Sequence, residues 1–317
     1  ARPQQLLFIA FPLAIIYKLL SWIPFAKKLF KLNKIIRAYL STDLVIDEAG
    51  VSFIDSRGLI MNTYAFVCAA VPLLLGVPVV KYSQALGPFN SPVNRLLAKW
   101  ILPKLHLICA RGEITFNHLK SIGIVKNVKI CADGAFTMPD DYSIAETVKG
   151  ICERDIFYKS KEIIVSLSLS SVVQKKCNKL GIDYIGTMSQ FIDYLNDNGY
   201  KVLIIANAAR EGSRRPRNND LMVCNAVYEK VQNKEMVRWY PREMKAEEIR
   251  EFISHTHVLV ASRFHAMIGA LEKGIPTLLI GWSHKYKEVL DMFELGKYAV
   301  DYSELTFNGL IDNFNSF

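Results

Sequence analysis

Short apolar runs alternate with stretches of helical periodicity along most of the chain, and nearly every run ends on a glycine or a polar corner. DLVIDEAG (43–50) has the branched residues of a strand closed by a Gly turn, and TYAFVCAAVPLLLG (63–76) reads as a buried helix stopped by Gly76. PVVKYSQALGPF, LHLICARG and NVKICADGAF read as further strands, separated by the helical patterns NRLLAKWILPKL and EITFNHLKSIG. The alternation breaks at the polar stretch 138–160 and then resumes. EIIVSLSLS, KVLIIANAA, VRWY, HVLVASRFH, TLLIG and YAVDY are strand candidates, with helices between them and a basic loop, REGSRRPRNND, after the second. Such β-α-β order predicts parallel sheets covered on both faces. The predicted architecture is two doubly wound, Rossmann-like α/β domains facing a cleft, 1–150 and 151–317.

The first forty residues follow a different rule. LLFIAFPLAIIYKLL (6–20) is strongly apolar but interrupted by Pro12 and Lys18, short of the roughly 20 clean apolar residues of a membrane span. In WIPFAKKLFKLNKIIRAYL, apolar and aromatic residues interleave with Lys27, Lys28, Lys31, Lys34 and Arg37. That basic amphipathic pattern in 6–40 suits peripheral contact with a membrane interface; a helix pair packed on a sheet is the other reading. The chain carries 39 Lys and Arg against 30 Asp and Glu, a net charge of +9 that favours anionic partners: phosphates, nucleic acid or an acidic membrane surface. Its six cysteines are scattered without a Cys-x-x-Cys pair, as small hydrophobes of a reducing compartment are, so neither a zinc site nor a disulfide framework is expected.

In open α/β sheets, ligands lie beyond the carboxyl ends of the strands. That rule selects Glu48, Arg111 and Asp133 in the first half. In the second it selects the 210–220 loop with Arg214 and Arg215, the Arg263-x-His265 corner, and His284 with Lys285. In an extended strand end, residues two apart point the same way, so Arg263 and His265 are expected to reach one ligand. Arginine offers a fork for carboxylate or phosphate, and histidine exchanges a proton near neutrality. His284 and Lys285 in a helix's first turn oppose its dipole, a cost that a bound anion relieves. Asp133 reads either as a base or as a partner of turn amides, and Glu48 as an acid/base candidate.

SRFHAMIGALEKGIPTLLIGWSHKYKEVLDMFEL (262–295) resembles the C-terminal signature of the polysaccharide pyruvyl transferase family: an Arg-x-His corner, a small-residue helix, Gly-x-Pro, a strand and a polar segment with a lysine. SQALGPF, LICARGEITFNHLKSIGI, KICADGAF, DLVIDEAGVSFID and NNDL resemble its other blocks in order, over about 43–295. Two blocks differ: DEAG stands where glycines are usual, and RGE replaces Arg-Asp. The family's opening strand and Gly-Asn-x-Gly-Asp turn have no counterpart, so the chain is expected to begin downstream of the family's start.

The resemblance implies a glycosyltransferase GT-B-like fold and transfer of a pyruvyl group from phosphoenolpyruvate to a sugar of a cell-surface polysaccharide or of its nucleotide- or lipid-linked precursor, giving a ketal. It implies His265 as general acid and Arg263 and Arg111 as anion binders; Arg214, Arg215, His284, Lys285, Asp133 and Glu48, placed by the strand-end rule, are expected as further substrate contacts. No cofactor, metal or nucleic-acid partner is expected, and the expected location is cytoplasmic, at the inner face of the membrane where 6–40 engages it. Two other readings stay open: a glycosyltransferase using a nucleotide sugar, and a non-catalytic membrane-associated scaffold of glycan assembly.

Overall fold

Helix dominates the start of the chain: α1 (Pro3–Gln5), a π-helical turn (Leu6–Ala10), α2 (Phe11–Leu20), α3 (Pro24–Phe30) and α4 (Lys34–Leu40), the last capped by the Asn33 side chain. The computed structural model describes residues 3–159, 161–210, 212, 219–281 and 284–317, and gives the backbone alone for Pro24, Ala26, Lys27, His284 and Lys285. The chain divides into two compact units, Ala1–Gly134 and Ala135–Phe317.

In the first unit, β1 (Val45–Asp47) and β2 (Val51–Ser52) precede α5 (Gly58–Leu74), β3 (Val79–Leu86), α6 (Pro92–Ile101), β4 (Leu107–Arg111), α7 (Glu113–Ser121) and β5 (Val128–Cys131). The strands are parallel in the order β1-β3-β4-β5, and β2 also pairs with β3. Glu48–Gly50 forms the step between β1 and β2, opposite an irregularity in β3 between Lys81 and Gln84, where Ser83 takes φ 50°. No strand precedes β1 among the described residues.

The second unit contains α8 (Tyr142–Arg154), α9 (Ile156–Lys159), β6 (Ile164–Leu169), α10 (Ser171–Lys179), α11 (Tyr184–Asp197), β7 (Lys201–Ala206), α12 (Leu221–Lys230), β8 (Val237–Trp239), α13 (Ala246–Ser254), β9 (Val258–Ala261), α14 (Phe264–Glu272), β10 (Thr277–Gly281), α15 (His284–Met292), β11 (Ala299–Asp301) and α16 (Phe307–Asn315). Its six strands are all parallel in the order β8-β7-β6-β9-β10-β11, the doubly wound arrangement of a dinucleotide-type fold. Side chains alternate between the two faces of the strands, and both faces are buried. Val165, Leu167, Val202, Ile204 and Val260 pack into one core with Val173, Phe191 and Cys224. Leu203, Ile205, Leu259 and Leu279 pack into another with Phe252 and Met267. Helices therefore cover both faces, as continuous apolar strands require.

The expected boundary at 150/151 is corrected to Gly134/Ala135. Within the polar stretch 138–160, Tyr142–Arg154 and Ile156–Lys159 are helical, and Val148, Cys152 and Phe157 bury into the second unit's core. Its polar residues are the outer faces of helices and not a linker.

Candidate functional site

The strand order reverses between β6 and β9: β6 leads on to β7 and β8, and β9 leads the other way to β10 and β11. A crevice opens at such a switch point, outside the carboxyl ends of the two strands. Ser170 and Ser171 follow β6 there, and Ser262 and Arg263 follow β9. Ser170 caps α10 through its side chain. Ser262 donates its amide to Ser168 O at 2.7 Å, and its hydroxyl meets Tyr184 Oη at 2.9 Å. Burial pushes the Tyr184 hydroxyl upward in pKa, so it stays protonated and accepts from the Ser170 amide.

Asp220 joins these strand ends. Its carboxylate is fully buried. It accepts from the amides of Ser171 and Ala208, both at 2.9 Å, and from Arg263 Nε at 2.8 Å and Nη2 at 2.5 Å. Four donors from the ends of β6, β7 and β9 satisfy one buried anion, the condition under which such a charge is tolerated. Arg263 Nη2 also reaches Ser171 Oγ at 3.3 Å.

The two-residue strand repeat expected across Arg263 and His265 is not the backbone that forms there. Arg263 is extended (φ −122°, ψ 131°) and is the N-cap of α14, so His265 already lies in the helix. From Phe264 onward the two-residue side-chain repeat of a strand gives way to the helical one. Arg263 turns to Asp220 and Ser171, whereas His265 is exposed on a cavity of about 250 Å³ with Ala135, Asn207, Met244, Arg250 and Gly269.

Arg250 is the buried cation of that cavity. It donates to Met138 O (2.8 Å), Pro139 O (2.9 Å) and Asp140 Oδ1 (2.8 Å), with Glu272 at 3.3 Å. A Cβ at Gly269 would lie 3.3 Å from Arg250 Cγ, so the small residue lets α14 approach α13. Hydrogen bonding to Lys273, with the charge of Arg250 adding to it, holds the exposed Asp140 carboxyl below its ordinary range.

In the first unit, Arg111 Nη1 donates to Asp133 Oδ2 at 2.6 Å with both side chains buried, so these two expected substrate contacts hold each other. Glu48 is exposed in the step after β1, and its neighbour Asp47 is the engaged carboxylate. Lys81, fully buried in β3, donates to Asp47 Oδ2 (2.6 Å), Ser52 Oγ (3.1 Å) and Gln84 Oε1 (3.2 Å). Burial lowers the Lys81 pKa. For Asp47, burial acts upward, but the Lys81 ammonium outweighs it and the carboxyl lies below its usual value. Arg214 and Arg215, and the side chains of His284 and Lys285, lie outside the described residues. Among the described residues no group of three His, Cys, Asp or Glu is placed to hold a metal.

Arg250 and Lys81 escape the sequence reading. The 210–220 loop and the NNDL block include Asp220, but nothing local shows that a carboxylate 43 residues before Arg263 meets it. A lone arginine among Ile249, Phe252 and Ile253 was the available signal for Arg250.

The two parallel, Rossmann-like α/β units, with polar corners at strand ends, define the GT-B-like class. A UDP-GlcNAc 2-epimerase from Methanocaldococcus jannaschii has a similar fold: TM-score 0.53, 13% identity, 92% of this chain and 75% of that one covered. So has a UDP-forming alpha,alpha-trehalose-phosphate synthase from Burkholderia xenovorans: TM-score 0.52, 11% identity, 86% of this chain and 64% of that one. The chain belongs to the polysaccharide pyruvyl transferase family, whose model matches residues 7–284. The amylovoran biosynthesis protein AmsJ of Erwinia amylovora is 23% identical over 280 residues, 86% of this chain and 66% of that protein; the chain spans just under two thirds of that relative's length.

Proposed function

We propose that the protein is a transferase of polysaccharide biosynthesis that moves a pyruvyl group from phosphoenolpyruvate to a sugar, forming a ketal. The observation that carries this reading is the family match, which runs through both Arg263 and His265. In the reaction, the methylene carbon of phosphoenolpyruvate takes a proton and the adjacent carbon becomes cation-like. One sugar hydroxyl adds there and loses its proton. The carbon–oxygen bond to phosphate breaks, and a second hydroxyl adds in its place, losing its proton in turn, so that a ketal and inorganic phosphate result.

His265, exposed on a cavity roomy enough for a phosphorylated three-carbon acid, supplies the first proton. Arg263, oriented by Asp220, presents the Nη1 edge that Asp220 does not use to the substrate's carboxylate or phosphate. In the first unit, Arg111 is held by Asp133 through Nη1. The acceptor is a glycan sugar on a nucleotide or lipid carrier, and contact of residues 6–40 with the cytoplasmic membrane face suits a lipid-borne one.

Incubation with phosphoenolpyruvate and a panel of carrier-linked sugars tests this, read as released phosphate and the mass gain of a ketal. Turnover of a nucleotide sugar without use of phosphoenolpyruvate replaces the reading with glycosyl transfer. Inertness toward both replaces it with a scaffold role.

A further inference from the structure

The first 42 residues contain seven basic residues and no acidic one, so this stretch carries +7 of the chain's net +9. Its helices are also apolar on the outside. Leu6, Ala10 and Ala14, spaced four apart, form one buried stripe, and Phe11 packs edge-on against Phe66 of α5 at 6.3 Å. The opposite side leaves Phe8 and Leu19 exposed. Trp22, Phe25 and Leu32 are 79%, 76% and 76% exposed, beside exposed Lys18, Lys28, Lys31 and Lys34. The surface continues onto α6. Trp100 stacks on the same Phe66 ring at 5.5 Å yet remains largely exposed, Lys104 Nζ lies 5.4 Å from its ring, and Leu96 and Lys99 are exposed beside it.

We infer that this face, from the N-terminal helices across α5 to α6, docks on an anionic lipid bilayer, lying in the interface and not crossing it. Exposed tryptophans with interleaved lysines match the headgroup region, where an apolar body and a cation are both accommodated. Pro3–Leu20 and Asp55–Leu74 are long and apolar enough to span by length and composition. Both nevertheless pack, through Leu6, Ala10 and Ala14 and through Phe66, Val67 and Ala70, into one core with Val79 and Ile108 of the open parallel sheet, which cannot enter hydrocarbon. A second copy is disfavoured as the occupant, because it would set +7 against +7. The docking depends on the proposed transfer only for its purpose, the delivery of a carrier-linked acceptor; vesicle binding and ketal formation are separate measurements.

The test is co-sedimentation of the protein with phosphatidylcholine vesicles, with and without phosphatidylglycerol. Binding is expected on the anionic vesicles, weakening with added salt. The Lys28→Gln/Lys31→Gln/Lys34→Gln variant should lose roughly 100-fold in vesicle affinity, from the contribution of each lysine near an anionic surface. The Trp22→Ala/Phe25→Ala/Leu32→Ala variant should lose roughly tenfold or more. All six side chains are exposed, so both variants should keep the circular dichroism of the parent and its turnover of a soluble acceptor. No binding to anionic vesicles, or binding untouched by both variants, overturns the inference. So does a concentration-dependent dimer abolished by the Trp22 variant, or equal binding to an acidic protein and none to lipid. Loss of ketal formation with vesicle binding intact counts against the transfer reading alone.

Discussion

Arg263 grips Asp220 through two parallel bonds, Nε to Oδ2 and Nη2 to Oδ1, and thereby ties the end of β9 to the loop that follows β7. The same carboxylate takes the amides of Ser171 and Ala208. The arginine of the Arg-x-His corner is thus both a structural tie and, on the proposed reading, a substrate contact, and substitution separates the two roles.

Asp220→Ala strands a buried guanidinium and two amides. It should destabilise the second unit by about 3–5 kcal/mol, the cost of breaking a buried pair from one side. Urea denaturation followed by tryptophan fluorescence measures it. Arg263→Lys keeps the charge but not the fork. It should raise KM for phosphoenolpyruvate as well as lower the denaturation midpoint. A lowered midpoint with KM unchanged would leave Arg263 as a tie only.

His265→Ala removes an exposed side chain that meets the Phe264 ring edge-on, so stability should fall by no more than about 1 kcal/mol. If His265 is the general acid, turnover falls by ~10²–10⁴-fold while KM for phosphoenolpyruvate barely moves. Full turnover at saturating phosphoenolpyruvate would assign the proton to another group.

The Asp47–Lys81 pair predicts an acid limb of stability. The folded Asp47 carboxyl lies below its ordinary value of 3.8, so its contribution is complete above that value and is lost as pH falls through the folded pKa. Denaturation midpoints measured on the parent and on Asp47→Asn should converge below that range. Lys81→Met, which leaves Asp47 unpaired, should cost about 3–5 kcal/mol at neutral pH.

Gly87 has φ 81°, and a Cβ there would lie 2.7 Å from His118 Cβ. Gly87→Ala meets both backbone strain and a neighbour held in α7, so it should destabilise the first unit by more than about 1 kcal/mol, read as a lower thermal midpoint. Gly50→Ala, with φ 65° but open space around it, should cost less.

Much of this was legible from residues close in the chain. The alternation of apolar runs and helical periods announces two parallel α/β units, because a strand buried on both faces must be apolar throughout and its crossover must be a helix. Gly50, Gly76 and Gly123, each at positive φ, end their elements as the pattern required. The basic, apolar start of the chain was visible in the same way, since exposed aromatic residues among lysines need no distant partner to be recognised.

Direction and pairing were settled elsewhere. Arg263 and His265 look alike in a strand repeat, and they differ because the helix begins at Phe264, between them. Arg263 finds Asp220 across 43 residues, and Lys81 finds Asp47 across 34, only once parallel strands lie side by side. The switch point itself rests on β6 pairing with β9, Val165 beside Val258. A charge's burial and partner are properties of strands brought together from far along the chain, and periodicity within a dozen residues contains no term for them.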